Sequence, residues 1–197
     1  MSQPLNDAAL NQLFFEAQTH NDWQDKEVGI ELLTKAWDMA RWAPTSMNCC
    51  PARIVFVQST DAKEKLKNCL SEGNIDKTMK APATAIIGID MEFYVNMPTL
   101  FPTFPGAAEM FAQSHELCEE TATRNATLQG AYLILALRSL GLDCGPMSGF
   151  DNAKVDEAFF NGSKTKSNFL CNIGYGDRAG LNDRNPRPAF DEVCRIE

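Results

Sequence analysis

A long helical pattern runs from about Ser114 to Leu140, and Gly141 is placed to cap its C-terminal end. Its middle, from Ala131 to Leu137, is apolar on every side. A helix that is apolar all round must be covered on all its faces. In a chain of 197 residues, this predicts either a helix at the centre of the fold or one covered by a second subunit.

Strand patterns alternate with helical ones along the rest of the chain. Short apolar runs at Ala52–Val57, Thr84–Ile89 and Phe169–Tyr175 predict strands, whereas Leu32–Ala40 has helical spacing. This alternation predicts a layered fold that mixes helices with a sheet. No repeat, low-complexity block or linker divides the chain, so we expect a single domain over residues 1–197.

The charge balance and the apolar runs disfavour two classes of partner. The chain has 18 Lys and Arg against 26 Asp and Glu, a net charge of -8. An acidic surface repels phosphate backbones, so we expect no nucleic acid partner. No apolar run approaches the ~20 residues of a membrane helix, and we expect no membrane partner. Met1–Leu10 lacks the basic and apolar regions of a secretory signal.

The cysteines predict a reducing compartment and no metal site. They are seven in number and include no Cys-x-x-Cys pair: Cys49, Cys50, Cys69, Cys118, Cys144, Cys171 and Cys194. Two histidines, His20 and His115, lie far apart, which is not the spacing of a zinc site. Most of the thiols have apolar neighbours, and we expect them to be small buried hydrophobes in a cytoplasmic protein. Neither histidine is near the Cys49–Cys50 pair in sequence, which disfavours thiol catalysis.

A proline-broken stretch, Met91–Gly106, carries four aromatic side chains. They are Phe93, Tyr94, Phe101 and Phe104. Long irregular loops of this kind are often lids or binding loops, so we expect these rings to cover a ligand.

Four short segments offer polar groups suited to holding a ligand. Arg41–Arg53 sets hydroxyls and an amide between two prolines, and Gly145–Phe150 has glycines that permit close backbone approach. Asn74–Lys77 offers an amide and an ammonium, and Thr19–Trp23 contains His20. Each segment also fits an ordinary role as a turn, a solvated surface or the site of a structural histidine. No dinucleotide fingerprint, Walker loop or nucleophile elbow is present, so no side-chain nucleophile is predicted.

Five stretches, in order along the chain, carry a family resemblance. They are THNDW (19–23), RWAPTSMNCCPARIVF (41–56), GNIDKTMKAPATAI (73–86), EETATRNATLQGAYLILALRSLGLDCGPMSGF (119–150) and KSNFLCNIGYGD (166–177). Together they resemble the nitroreductase family of FMN-dependent oxidoreductases. More narrowly, they resemble its malonic semialdehyde reductase subgroup, which forms 3-hydroxypropionate in pyrimidine degradation.

The resemblance implies an α+β nitroreductase-like fold, with a central mixed β-sheet flanked by helices. It also implies an intertwined homodimer that holds FMN at its interface, with the long helix of each subunit packed against its partner. The electron donor would be NADH or NADPH.

The resemblance also implies which residues bind the cofactor. The loop that approaches the flavin from the partner subunit would be Pro44, Thr45, Ser46 and Asn48. The groups near the ring and ribityl chain would be Asn74, Lys77, Pro146, Met147, Ser148 and Gly149. The phosphate contacts would come from Thr19, His20, Asn21, Arg184 and Arg187.

The chain departs from the wider family near its N-terminal end. The stretch Ala17–Asn21 keeps a hydroxyl but lacks the cations that usually hold the phosphate there. The resemblance then implies that His20, Asn21 and the C-terminal arginines compensate.

The implied activity is ping-pong hydride transfer from NAD(P)H to a small acceptor, with Lys77 and the Gly149 backbone supporting the flavin. The acceptor would be a small carbonyl such as malonic semialdehyde, whose carboxylate Arg41 or Arg124 would hold. Two alternatives stay open: a general reductase of nitro compounds or quinones, and a non-enzymatic acidic interaction module that retains the fold.

Overall fold

The computed structural model describes residues 3–197. Met1 and Ser2, which belong to the predicted single domain, lie outside the described residues. The helices in chain order are α1 (Asp7–Leu10), α2 (Ile30–Ala40), α3 (Thr60–Lys67), α4 (Glu72–Lys80), α5 (Met97–Leu100), α6 (Ala107–Ala112), α7 (His115–Ser139), α8 (Asn152–Phe160) and α9 (Phe190–Val193). The strands are β1 (Ala52–Val57), β2 (Ala83–Asp90), β3 (Asp143–Met147) and β4 (Thr165–Gly174). A π-helical turn spans Asn11–Phe15, and 3-10 turns span Ser46–Asn48, Phe93–Asn96 and Arg178–Gly180.

The strands form one sheet in the order β1-β2-β4-β3, and every neighbouring pair is antiparallel. The expected α+β fold is confirmed. The expected mixed pairing is limited, among residues 3–197, to one isolated parallel bridge between Thr19 and Cys144. One helix between two strands brings the chain back to the end of the sheet where the first strand began, so the second strand runs parallel to the first. The two helices α3 and α4 instead bring the chain back to the end where β1 stopped, so β2 runs antiparallel to β1.

Helices cover both faces of the sheet. Ala85 and Ile87 of β2 pack into one core cluster with α2 and α7. Ile86, between them, packs into another with α3 and α8. Alternate side chains of a strand point to opposite faces, so a strand covered on both sides reads as a continuous apolar run. This explains why β1 and β2 were predictable from short apolar segments.

The long helix α7 confirms the pattern seen in the sequence. The Ser114 hydroxyl accepts a hydrogen bond from the Leu117 N–H at 3.3 Å, and Gly141 follows the helix with φ of 79°. Burial of its apolar middle is one-sided within the protomer, since Leu133 is fully buried while Tyr132 is 40% exposed. Neither α7 nor any other helix within residues 3–197 is long and apolar enough to cross a membrane.

The stretch 91–106 has more regular secondary structure than the irregular loop that the sequence predicts. It contains the 3-10 turn Phe93–Asn96 followed directly by α5. Phe93 is fully buried, and its ring meets that of Phe111 edge to face, with centroids 4.9 Å apart. Phe93 is therefore a core residue rather than part of a lid, because burying a phenyl ring stabilises the fold more than exposing it.

The first half of the segment 145–150 is a strand rather than the turn that the sequence also allowed there. Pro146 lies in β3 opposite Cys171 of β4. Proline has no N–H to donate to a strand ladder and is tolerated on edge strands. β3 is an edge strand, which is why a Gly-Pro sequence can pair there.

The expected burial of most of the thiols is confirmed. All seven are free thiols, and five of them are buried. Cys50 is half-buried and Cys194 is exposed.

Candidate functional site

Three of the predicted segments meet around β3. The backbone N–H of His20 donates to the carbonyl oxygen of Cys144 at 3.1 Å. Gly145, the next residue of β3, lies so close that a Cβ there would stand 2.6 Å from the His20 carbonyl oxygen. The segment Thr19–Trp23 therefore runs beside β3, whose end leads into Ser148 and Gly149.

Gly149 is held by the start of α4. Its carbonyl oxygen accepts hydrogen bonds from the Asn74 side-chain amide at 2.7 Å and from the Ser71 N–H at 3.1 Å. No group among residues 3–197 accepts a hydrogen bond from the Gly149 N–H. A Cβ at position 149 would clash with Nδ2 of Asn74, so a side chain there would displace the amide from the Gly149 carbonyl oxygen.

Lys77 follows Asn74 by three residues on α4, and residues at that spacing share one helix face. Its carbonyl oxygen accepts a hydrogen bond from the Trp23 indole at 3.0 Å, which ties the Thr19–Trp23 segment to α4. The Lys77 side chain is half-buried, and its ammonium forms no ion pair within the described part of the chain. The Asn74 amide therefore contacts the Gly149 backbone, and Lys77 lies on the same face of α4 as Asn74.

A buried polar network fixes α4 to the sheet. Asn172 of β4 is fully buried, and its side-chain oxygen accepts from the Thr84 hydroxyl at 2.7 Å. Its Nδ2 donates to the Thr78 hydroxyl at 3.1 Å, and Thr78 directly follows Lys77. Sequence reasoning missed Asn172. The available signal was a single amide within the otherwise apolar strand FLCNIGY, since buried polar groups are retained where they are hydrogen-bonded.

The loop Pro44–Asn48 is held elsewhere in the protomer. The Ser46 N–H donates to Oδ1 of Asn125 on α7 at 2.8 Å, and the Asn48 amide donates to the Leu100 carbonyl at 2.8 Å. Asn48 has a φ of 52°, in the left-handed region that asparagine tolerates. No hydrogen bond within residues 3–197 joins this loop to Asn74 or Gly149. Within the described part of one protomer, the hydrogen bonds of this loop therefore run to α7 and Leu100 rather than to the segments around β3.

A cavity of about 260 Å³ gathers the predicted phosphate contacts. Thr19, Asn21, Arg184 and Arg187 all line it, and Arg184 donates to the Ala17 carbonyl oxygen at 2.8 Å. Arg138, which sequence reasoning did not assign to the site, lines the same cavity. The available signal was a lone cation at the end of the apolar part of α7.

His20 is turned away from that cavity. The residue is 3% exposed, its Nε2 lies 3.4 Å from Oδ1 of Asp143, and its ring packs against Gly176. Its Nδ1 is buried without a hydrogen-bond partner among residues 3–197. The side chain of His20 is therefore a structural group beside a carboxylate, and we do not retain it as a phosphate contact.

The remaining predicted rings and arginines lie at the surface or against the core. Tyr94 and Phe101 are half-buried, and Phe104 is 46% exposed. Nη1 of Arg41 lies 3.8 Å from Oδ1 of Asp38, and the Arg124 guanidinium pairs with the Glu120 carboxylate one helical turn away.

Cys49 is unsuited to thiolate chemistry at neutral pH. Burial, reinforced by the neighbouring Cys50, raises the pKa of the Cys49 thiol to about 11. A thiol with that pKa is protonated at pH 7, and the thiolate is the nucleophilic form.

Comparisons with known proteins identify one family model and several similar chains. The model of the Nitroreductase family matches residues 19–175. A Burkholderia lata protein provisionally named NADH dehydrogenase/NAD(P)H nitroreductase is 58% identical over 193 residues, covering 98% of each chain.

Two solved structures share the fold. A provisionally named nitroreductase from Bacillus subtilis superposes with a TM-score of 0.88 at 19% identity, over 98% of this chain and 100% of that one. A provisionally named nitroreductase from Exiguobacterium sibiricum, solved in complex with FMN, gives 0.84 at 17% identity over 100% of both chains. With the family match and the close relative, these likenesses lead to one conclusion: this chain belongs to the nitroreductase family.

Proposed function

We propose that this chain is an NAD(P)H-dependent FMN oxidoreductase. The observation that carries the proposal is the convergence of two groups on the segment Thr19–Trp23. At one end, Trp23 contacts α4, which bears Lys77 and the Asn74 amide that is bonded to Gly149. At the other end, Thr19 lines the arginine cavity. A flavin mononucleotide has a ring system that accepts and donates hydrogen bonds at one end and a phosphate at the other, so this arrangement fits it.

Bound FMN supplies hydride transfer from NAD(P)H to an acceptor, and the protein supplies binding and electrostatics. The Lys77 ammonium, which has no carboxylate partner among the described residues, stabilises negative charge on a reduced ring. The Gly149 N–H is available to donate a hydrogen bond, and Oδ1 of Asn74 to accept one, because Nδ2 already contacts the Gly149 carbonyl. No side-chain nucleophile is needed.

For the acceptor, we propose a small carbonyl compound such as malonic semialdehyde, reduced to 3-hydroxypropionate. The support is the sequence resemblance to the reductases of that subgroup. A second candidate is a nitro compound or quinone, and the name of the Burkholderia lata relative favours it. A carboxylate-bearing acceptor requires an arginine, for which Arg41 and Arg124 are both candidates because both are exposed.

The proposal includes a homodimer built from one domain per chain over residues 1–197. Exposed apolar side chains on α7, among them Leu128 and Tyr132, support a second copy packed against this helix. The loop Pro44–Asn48, separate from Asn74 and Gly149 within the protomer, would complete the site of the partner. Seven free thiols support a cytoplasmic location, where thiols stay reduced.

The absorbance spectrum of the purified protein, before and after FMN is added, tests the cofactor. We expect a flavin band near ~450 nm that bleaches when NADH or NADPH is added without oxygen. A protein that binds no flavin under either condition would contradict the proposal and favour the interaction module. Steady-state rates with malonic semialdehyde, a nitroaromatic and a quinone then separate the acceptor classes, each measured with both nicotinamide donors.

A further inference from the structure

The eight arginines of the chain divide into two sets. Five form ion pairs with a carboxylate: Arg41, Arg53, Arg124, Arg178 and Arg195. The other three form none within residues 3–197: Arg138, Arg184 and Arg187. In an acidic chain, carboxylates are abundant, so three unpaired guanidinium groups are unexpected.

These three arginines are the ones that line the 260 Å³ cavity, together with Thr19 and Asn21. One carboxylate, Asp183, also lines it and pairs with none of them. Like charges repel, so three guanidinium groups around one cavity are unfavourable unless an anion binds there. Three guanidinium groups against one carboxylate leave two positive charges, which match a phosphate monoester near its dianionic form at neutral pH.

Arg138 differs from the other two arginines in how it is held. Arg184 and Arg187 lie on the exposed segment after the 3-10 turn, whereas Arg138 lies in the last turn of α7 and is half-buried. The negative end of the helix dipole stabilises a cation at that position. One guanidinium nitrogen donates to the Leu13 carbonyl oxygen at 3.3 Å, which leaves the rest of the fork to bind an anion.

We propose that Arg138 binds the phosphate of FMN as a third, helix-mounted guanidinium, an inference that rests on the proposed function. Arg138 supplies the positive charge that the segment Ala17–Asn21 lacks. The buried side chain of His20 does not fill that role. Because it is set on a rigid helix, it loses less conformational entropy on binding than the arginines of the exposed segment. The chemistry recognised is a phosphate monoester, so riboflavin, which has the same ring and no phosphate, is the matched probe.

The test compares the dissociation constants of FMN and riboflavin for the full-length protein and for Arg138→Gln, by quenching of flavin fluorescence. A charge-assisted hydrogen bond contributes roughly 10- to 100-fold in affinity, so we expect FMN binding to weaken by that factor. Riboflavin binding should change less than about twofold. Arg138→Lys keeps the charge and should recover part of the FMN affinity, and the salt dependence of FMN binding should be smaller in Arg138→Gln than in the wild type.

Arg178→Gln is the matched control, because it also removes one arginine. Arg178 is paired with Glu16 and does not line the cavity. This variant should leave both dissociation constants unchanged. If Arg138→Gln leaves FMN binding unchanged, or weakens riboflavin equally, Arg138 acts only through the Leu13 contact and the inference fails while the proposed function stands. If the wild type binds neither flavin, the proposed function fails, and this inference with it.

Discussion

The side-chain amide of Asn74 donates a hydrogen bond to the carbonyl oxygen of Gly149 at 2.7 Å, joining α4 to the segment that follows β3. This contact orients the amide so that its oxygen remains free, and it fixes the Gly149 backbone against the helix that carries Lys77. It depends on the absence of a side chain at position 149, since a Cβ would overlap the Asn74 amide.

Gly149→Ala tests this close approach. We expect it to lower the free energy of unfolding by about 1–3 kcal/mol, because Asn74 or the backbone must move, and to weaken FMN binding. Gly73→Ala is the control on the same helix, where an added Cβ meets nothing within 4 Å. It should be neutral or stabilise by up to about 1 kcal/mol in urea unfolding. Equal behaviour of the two variants would remove the steric argument.

Lys77→Ala tests the cation at the ring end of the proposed site. Removing a charge that stabilises the reduced flavin should slow NADH-driven reduction, followed by stopped-flow absorbance, by roughly tenfold or more. Lys80→Ala, three residues further along α4, removes an exposed ammonium whose Nζ lies 3.5 Å from Oδ1 of Asp22, and it should have no effect on that rate. An unchanged rate in Lys77→Ala would exclude Lys77 from the site.

Asn125→Ala tests how the loop Pro44–Asn48 is held. The Asn125 side chain is 2% exposed and accepts from the Ser46 N–H, so its loss leaves a donor without a partner. We expect a loss of about 1–3 kcal/mol in unfolding free energy and faster hydrogen exchange at the Ser46 amide. Asn168→Ala removes an exposed hydrogen bond to Thr127 and should cost less than about 0.5 kcal/mol. Unchanged exchange at Ser46 would contradict the assignment.

The raised pKa of Cys49 predicts how stability depends on alkaline pH. In the unfolded chain the thiol ionises near its ordinary pKa of 9.0, whereas in the folded protein burial raises that pKa to about 11. The folded state binds more protons between these values, so this contribution to stability is full below pH 9 and is lost as the pH rises to 11. Urea unfolding between pH 8 and 11 should show a steeper decline for the wild type than for Cys49→Ala. Parallel curves would contradict the prediction.

The exposed apolar surface of α7 predicts a dimer. Leu128 and Tyr132 are one turn apart and are 42% and 40% exposed. A charge there should disfavour burial against a second copy, so Leu128→Glu should shift the mass measured by light scattering from dimer to monomer. Val95→Glu alters an equally apolar residue, 65% exposed, on a different element and should leave the mass unchanged. A monomeric wild type would contradict the proposed dimer.

Local patterns were sufficient to predict several parts of this fold. The strand Ala52–Val57, the long helix with its Ser114 and Gly141 ends and the buried thiols all follow from periodicity, capping chemistry and hydrophobicity within a few residues. Asn74 and Lys77 were predicted to act together, and a spacing of three residues on a helix is enough to place them on one face. These features depend on interactions that are close in the sequence.

Other features depend on packing between distant parts of the chain. Arg138 lines the same cavity as Arg184 and Thr19 only because the end of α7 lies beside the N- and C-terminal segments. No local sequence pattern encodes that arrangement. Phe93 and His20 have side chains common at binding sites, yet the residues packed around them bury both. Which side chains face a cavity and which fill the core is a property of long-range packing, because a residue's surroundings are supplied mostly by residues far from it in the sequence.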